Sequence, residues 1–139
     1  MKIIYLAGKM SASYINDPNT LADKIKYDKE AFILAQIYAK KLWEIGFVVI
    51  SPHLNSDSGK LKLEGFTWQD YLEADLEIIS RCDAVYVLPN WRSSRGATKE
   101  RDYAKRMGIS VLSSLREAKR FLNAPPKKKV IEFIPLPKL

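Results

Sequence analysis

The sequence predicts the α/β fold class, with a doubly wound parallel sheet of four to five strands and helices on both faces. Short β-rich runs such as residues 84–88 (AVYVL) are apolar at successive positions, which is typical of strands buried on both faces. Segments with helical periodicity separate these runs along the chain. This alternation favours a small sheet of Rossmann-like or flavodoxin-like type.

Local signals set the bounds of each element. The predicted strands are residues 2–7, 47–51, 84–88 and 109–112, with a fifth, edge strand over 130–134. The predicted helices are residues 28–45, 67–81, 97–107 and 114–122, the last one opened by the capping box Ser114-x-x-Glu117. Gly8, Gly46 and Gly108 end a strand and two helices. The loops after residues 7, 51 and 88 should meet at the carboxyl edge of the sheet, where such folds bind ligands.

Composition indicates one cytoplasmic domain over residues 1–139, with a basic tail from about residue 124. A single cysteine, Cys82, leaves no internal disulfide and fits a reducing compartment. No apolar run approaches the roughly 18–20 residues that span a bilayer, so no membrane association is expected. The net charge of +7 suits anionic ligands. Residues 127–129 (KKK) form either a solvated tail or a nucleic-acid contact, and the absence of a recognisable nucleic-acid-binding motif disfavours the second.

Two acids occupy helix positions that should be apolar. Glu100 begins the stripe that continues through Tyr103, Ala104 and Met107, whereas residues 99, 101, 102, 105 and 106 fall on the outer side. Asp75 lies in the middle of a stripe that runs from Trp68 to Cys82. A buried carboxylate must be paired, hydrogen-bonded or functional. Glu100 either complements the helix dipole or reacts, and Asp75 either bonds the loop backbone or belongs to the same carboxylate site.

Loop residues suited to binding phosphate precede two of the predicted helices. Ser94 and Gly96 stand at a helix N-terminus, a common anion-binding arrangement. Gly8, Lys9 and Ser11 follow the first strand in the same cleft. Together with the acids they predict a site with phosphate at one end and carboxylates at the other.

These residues resemble the nucleoside 2-deoxyribosyltransferase-like superfamily, and within it an uncharacterised branch of DUF4406 type. The resemblance covers about residues 1–112. Its motifs are Tyr5-Leu-Ala-Gly8, Trp68-x-x-Tyr71-x-x-x-Asp75-Leu76, Cys82-Asp83-Ala84-Val85-Tyr86-Val87-Leu88-Pro89-x-Trp91 and Ser94-x-Gly96-x-x-x-Glu100.

The resemblance implies an enzyme that cleaves or exchanges the N-glycosidic bond of a nucleotide. It implies that Glu100 attacks the anomeric carbon, that Asp75 handles the nucleobase and that Tyr5 orients the nucleophile. Relatives that act on free nucleosides carry an acid at the position of Ser94, whereas the 5′-monophosphate N-glycosidases carry serine. The expected substrate is therefore a (deoxy)nucleoside 5′-monophosphate. The resemblance also implies a homodimer or a larger homo-oligomer.

Some residues depart from that pattern or stay open. The glycosidases present a Gly-Ser-x-Arg type of first loop, where this chain has Gly8-Lys9-Met10-Ser11, so Lys9 or Ser11 must substitute. Trp91 either stacks on the base or caps the core, and His53 is a candidate ligand contact. No cluster of metal-ligating residues is apparent, and no cofactor is expected. Two other functions stay open: a catalytically silent nucleotide sensor and an NAD-type N-ribosyl hydrolase.

Overall fold

A four-stranded parallel sheet forms the centre of the molecule. The computed structural model describes residues 1–9, 21–52 and 64–125, with side chains from residue 29 within the first helix. The elements in chain order are β1 (Ile3–Ala7), α1 (Leu21–Ile45), β2 (Val48–Ile50), α2 (Trp68–Ser80), β3 (Ala84–Val87), a 3-10 turn (Trp91–Ser93), α3 (Arg95–Arg106), β4 (Ser110–Leu112) and α4 (Leu115–Asn123). The strand order is β2-β1-β3-β4, which confirms the predicted Rossmann-like α/β class.

The sheet buries a separate apolar core on each face. Successive side chains of a strand point to opposite faces, so Ile4 and Leu6 pack under α1 and α4, whereas Tyr5 and Ala7 pack under α2 and α3. α1 contributes Ala35, Ala39 and Leu42 to the first core. Small residues allow a long helix to approach the sheet closely, and this explains why its apolar stripe is rich in alanine.

Two helices start earlier than the sequence predicts, and at α3 a cap residue decides the start. α1 already begins at Leu21, so the loop expected to reach about residue 26 ends earlier. α3 begins at Arg95 rather than at residue 97, because the Ser94 side chain caps it by accepting a hydrogen bond from the Ala97 N–H. α2 starts at Trp68, directly after a full capping box formed by Thr67 and Asp70.

The predicted capping box of α4 forms in a modified way. Ser114 accepts from the Glu117 N–H at 3.1 Å, as expected. The Glu117 carboxylate accepts a hydrogen bond from the N–H of Ser113 at 2.9 Å, and not from the N–H of the cap residue Ser114. The helix start is nevertheless where the sequence places it.

Three side chains lie differently from the predicted stripes. Met107 follows the last residue of α3 and is 56% exposed, because the helix ends before its side chain reaches the core. Trp68, at the first residue of α2, is 45% exposed. Arg101 was expected on the outer side, but its guanidinium lies over the Trp91 ring, 4.6 Å from the ring centroid.

The predicted edge strand at 130–134 and the tail beyond residue 125 lie outside the described residues. No helix in the described ranges is long and apolar enough to cross a membrane.

Candidate functional site

The order of the strands creates a crevice between β1 and β3. From β1 the chain crosses to β2 on one side of the sheet, and it later returns to β3 on the other side. The loops that leave the carboxyl ends of β1 and β3 therefore diverge, and doubly wound sheets bind their ligands at such a switch point. Tyr5 on β1 pairs in register with Val85 on β3, next to this crevice.

Tyr5, Asp75 and Glu100 converge on the α2/α3 face of the sheet. Tyr5 is fully buried and Glu100 is only 6% exposed, whereas Asp75 is partly buried. The Tyr5 hydroxyl lies close enough to lower the pKa of both carboxyl groups. Even so, among the residues that the structure describes, the Tyr5 hydroxyl and Oε2 of Glu100 make no hydrogen bond of ordinary geometry. The three predicted catalytic residues are thus adjacent, with two buried polar atoms unsatisfied.

Burial governs the ionisation of the site. It raises the pKa of Glu100 to about 8; the Tyr5 hydroxyl counteracts this shift, and the nearby Asp75 carboxylate adds to it. Burial likewise raises the pKa of Asp75 to about 6, again opposed by Tyr5. The pKa of Tyr5 lies well above its ordinary range, because of burial first and then the Glu100 and Asp75 charges. Near neutral pH the phenol is therefore a hydrogen-bond donor.

An unsatisfied buried polar group costs roughly 1–3 kcal/mol, so its presence calls for a partner that completes it. A small polar molecule in the crevice would supply hydrogen bonds to the Tyr5 hydroxyl and to Oε2 of Glu100. A positive charge developing beside Glu100 would also favour its ionised form. The arrangement is chemically suited to a reaction that builds up positive charge next to a carboxylate.

The N-terminus of α3 brings Ser94 and Gly96 to the same edge of the sheet. Oγ of the buried Ser94 accepts from the Ala97 N–H at 3.1 Å, and its hydroxyl hydrogen has no acceptor among the described residues. A Cβ at Gly96 would meet only ordinary contacts, 3.9 Å from Oγ of Ser94 and 4.0 Å from the Trp68 ring. A side chain would therefore fit at position 96, so the packing does not require glycine there.

Gly8 and Lys9 lie against the loop that follows β3. A Cβ at Gly8 would stand 2.5 Å from Cδ1 of Leu88, so only glycine fits there. The Lys9 N–H donates to Oδ1 of Asn90 at 3.0 Å. Nothing in the local sequence marks Asn90 for this contact, because an asparagine after a strand is an ordinary loop residue.

Cationic side chains cover the two tryptophans beside α3. Trp91 packs partly buried against the α2/α3 core, and Arg92 and Arg101 lie 4.9 and 4.6 Å from its ring centroid. The Arg95 guanidinium lies 4.6 Å from the Trp68 ring centroid. These contacts support core capping by Trp91 and hold cationic groups near the start of α3.

Ser51 is a further buried polar residue at this edge that sequence reasoning missed. It follows β2, is 1% exposed, and its hydroxyl has no hydrogen-bond partner in the described part of the chain. Ser11 and His53 lie outside the described residues. Within the described ranges, no group of three or more His, Cys, Asp and Glu side chains is placed to hold a metal ion.

Comparison with known proteins identifies the family. A family model described as Domain of unknown function (DUF4406) matches residues 2–113, which include the whole sheet and every site residue named above. Comparison with curated proteins gives no match. Because the family model covers most of the chain, this protein belongs to the DUF4406 family.

Proposed function

We propose that this protein is an enzyme that hydrolyses or exchanges the N-glycosidic bond of a (deoxy)nucleoside 5′-monophosphate. The observation that carries the proposal is the buried Glu100 carboxyl group, whose unsatisfied Oε2 lies beside the unsatisfied hydroxyl of Tyr5. A buried carboxylate at the switch point of a doubly wound sheet is a candidate nucleophile.

The proposed reaction proceeds in two half-reactions. The Glu100 carboxylate forms a bond to the anomeric carbon while the bond from that carbon to the base nitrogen breaks. The fraction of Asp75 that is protonated, a minority at pH 7 because its pKa is about 6, donates its proton to the departing base and becomes a carboxylate. Water, or a second base, then attacks the anomeric carbon and releases Glu100, and Asp75 accepts the proton from the attacking group. Tyr5 donates to the Glu100 carboxylate and stabilises its ionised form.

The start of α3 supports a monophosphate substrate. Ser94 retains a hydroxyl hydrogen that can be donated to a phosphate oxygen, and the first backbone N–H groups of a helix favour an anion. Arg92 and Arg95, positioned over the rings of Trp91 and Trp68, add positive charge beside that helix start. Gly8 and Lys9 form the opposite wall at the end of β1, so the phosphate would lie between the two loops.

One observation favours a second candidate, the catalytically silent sensor. With a pKa of about 8, Glu100 is mostly protonated at pH 7 in the unliganded protein. A protonated Glu100 would donate a hydrogen bond to a ligand rather than attack it. Binding of nucleotide without base release is the behaviour that this alternative predicts.

A panel experiment distinguishes these functions. The purified protein is incubated with ribo- and deoxyribonucleoside monophosphates, the matching nucleosides and NAD, and free base is measured by chromatography. The matched control is Glu100→Gln, which keeps the side-chain size. We expect the wild type to release base from a monophosphate and Glu100→Gln to release none. Binding without release would support the sensor, and release of nicotinamide from NAD alone would support the NAD-type hydrolase.

We further propose a cytoplasmic location and a homo-oligomeric state. Cys82 is a buried free thiol, which suits a reducing compartment. The exposed aromatic side chain of Phe66, just before the start of α2, offers apolar surface to a second copy. Sedimentation equilibrium tests the second point, and a strictly monomeric species would contradict it.

A further inference from the structure

We propose that Asn90 is a positioning residue that fixes the turn at residues 8–9 in the shape needed to receive the anionic end of the substrate. This inference rests on the proposed function and adds a residue to it. Asn90 belongs to the loop after β3, whereas the turn belongs to the loop after β1. The residue therefore joins the two walls of the crevice.

Two hydrogen bonds connect these loops in succession. The Leu88 N–H donates to the Ala7 carbonyl at 2.8 Å, immediately beyond the last residue of β3. The next connection is made by a side chain, since the Lys9 N–H donates to Oδ1 of Asn90 at 3.0 Å. Asn90 thus extends the pairing of β1 and β3 past the point where their backbones diverge.

The packing of Gly8 shows that the turn is closely held. A Cβ at this position would stand 2.8 Å from Cβ of Leu88 and 3.0 Å from Oδ1 of Asn90, in addition to its clash with Cδ1 of Leu88. The glycine therefore lies directly against both residues. Movement of the Asn90 side chain would remove one of the contacts that hold this turn against the loop after β3.

The Asn90 side chain is committed to this contact. Asn90 stands at the N-cap position of the 3-10 turn, yet its side chain makes no capping hydrogen bond there. Because a backbone N–H only donates, the amide oxygen rather than the nitrogen must face Lys9. The side chain consequently serves the neighbouring loop instead of its own turn.

The test uses Asn90→Leu, which preserves side-chain size and removes the acceptor. Asn123→Leu, at the exposed end of α4, is the matched control. Hydrogen exchange of the Lys9 amide is measured by NMR, and binding of 2′-deoxyadenosine 5′-monophosphate is titrated in the same spectra. We expect Asn90→Leu to lose Lys9 protection and to raise the Kd about tenfold, with kcat for base release changed by less than about threefold. Asn90→Asp keeps an acceptor and should retain the protection.

The outcomes separate this inference from the proposed function. Unchanged Lys9 protection, or an unchanged Kd after protection is lost, would overturn the positioning role even if the wild type releases base. A fall in thermal stability and kcat with the Kd unchanged would mark Asn90 as merely structural and would also overturn it. Failure of the wild type to release base would overturn the proposed function alone, because protection and Kd are measured without turnover. If Asn90→Leu does not fold, Asn90→Ser, whose hydroxyl is one bond too short, takes its place.

Discussion

Two fully buried tyrosines on adjacent strands show how differently the two faces of the sheet are used. Tyr86 on β3 points toward α1 and α4, where it contacts Tyr38 with ring centroids 5.6 Å apart. Tyr5 on β1 points toward α2 and α3, where Asp75 and Glu100 are its polar neighbours. Burial raises the pKa of both phenols, that of Tyr86 to about 12.

The difference lies in the surroundings of each hydroxyl. Tyr86 packs among aliphatic, alanine and aromatic side chains, and the charges of Tyr38 and Glu117 raise the pKa of its hydroxyl less than burial does, so this tyrosine acts mainly as a packing residue. The Tyr5 hydroxyl is unsatisfied next to two carboxyl groups whose pKa values are raised by burial. A stable fold gains nothing from that arrangement, since buried unpaired polar groups cost free energy. We infer that one face serves stability and the other serves a ligand.

The largest effect should follow from changing Glu100. Glu100→Gln should lower kcat/KM for base release by about a thousandfold or more, because the amide is a poor nucleophile. It should also stabilise the fold in a pH-dependent way. The folded state binds the Glu100 proton more tightly than the unfolded chain, so the neutral carboxyl contributes fully below about pH 4.5 and its contribution is lost as the pH rises toward 8.

The expected gain in unfolding free energy for Glu100→Gln is on the order of 4 kcal/mol at pH 8 and close to zero at pH 4.5. Denaturant unfolding at both pH values measures it, and activity assays of the same preparations measure the loss of turnover. Retention of more than a tenth of the activity, or equal stability changes at both pH values, would contradict this assignment.

The second-largest effect on activity should follow from changing Asp75. Asp75→Asn removes the proton donor for the departing base and should lower kcat by about a hundredfold. Substrates with a leaving group that needs no protonation should be affected much less, and this comparison is the control. A variant that only unfolds at lower temperature, with normal kcat, would assign Asp75 a purely structural role.

Ser94 tests the phosphate end of the site. Ser94→Asp keeps a good N-cap for α3 but places a negative charge beside the proposed phosphate, so the fold should persist. The ratio of kcat/KM for a monophosphate to that for its nucleoside should fall by about thirtyfold or more. Ser94→Ala should lower it by about tenfold, since it removes one hydrogen bond to a charged group. An unchanged ratio in Ser94→Asp would place the phosphate elsewhere.

The smallest effect on kcat/KM is expected for Tyr5→Phe, which is compared with the same change at Tyr86. Tyr5→Phe removes the group that lowers the pKa of Glu100, so kcat/KM near neutral pH should fall about three- to tenfold. The rising limb of its pH profile should move to higher pH, because Glu100 then ionises less readily. Tyr86→Phe is the matched control and should leave both the rate and the profile unchanged. Equal behaviour of the two variants would remove the distinction between the faces.

Much of this arrangement could be predicted from the sequence, because it depends on periodicity. Apolar runs fixed the four strands, and helical spacing placed Asp75 and Glu100 on inward-facing stripes. The end of α3 was harder to predict, because an apolar stripe in the sequence does not show that Met107 lies beyond the last turn of the helix. Trp68 was misjudged for the same reason at the other end of a helix.

Contacts between distant loops could not be predicted. The bond from Lys9 to Asn90 joins residues 81 positions apart, and nothing in either local sequence indicates the other. The cation contacts of Trp91 also depend on how α3 packs beside its loop. The unsatisfied state of Tyr5 and Glu100 is a property of three-dimensional packing, and spacing predicts only that the residues share a face.

The most direct test of the account is to detect the bond that Glu100 is proposed to form. The protein is mixed with the monophosphate that releases base, quenched in acid within the first turnover and digested for mass spectrometry. The account predicts a deoxyribosyl- or ribosyl-phosphate adduct on the peptide that contains Glu100, at a level that rises before steady state and is absent from Glu100→Gln. Full turnover by a Glu100→Gln variant, or an adduct on another residue, would contradict the central claim that Glu100 is the nucleophile.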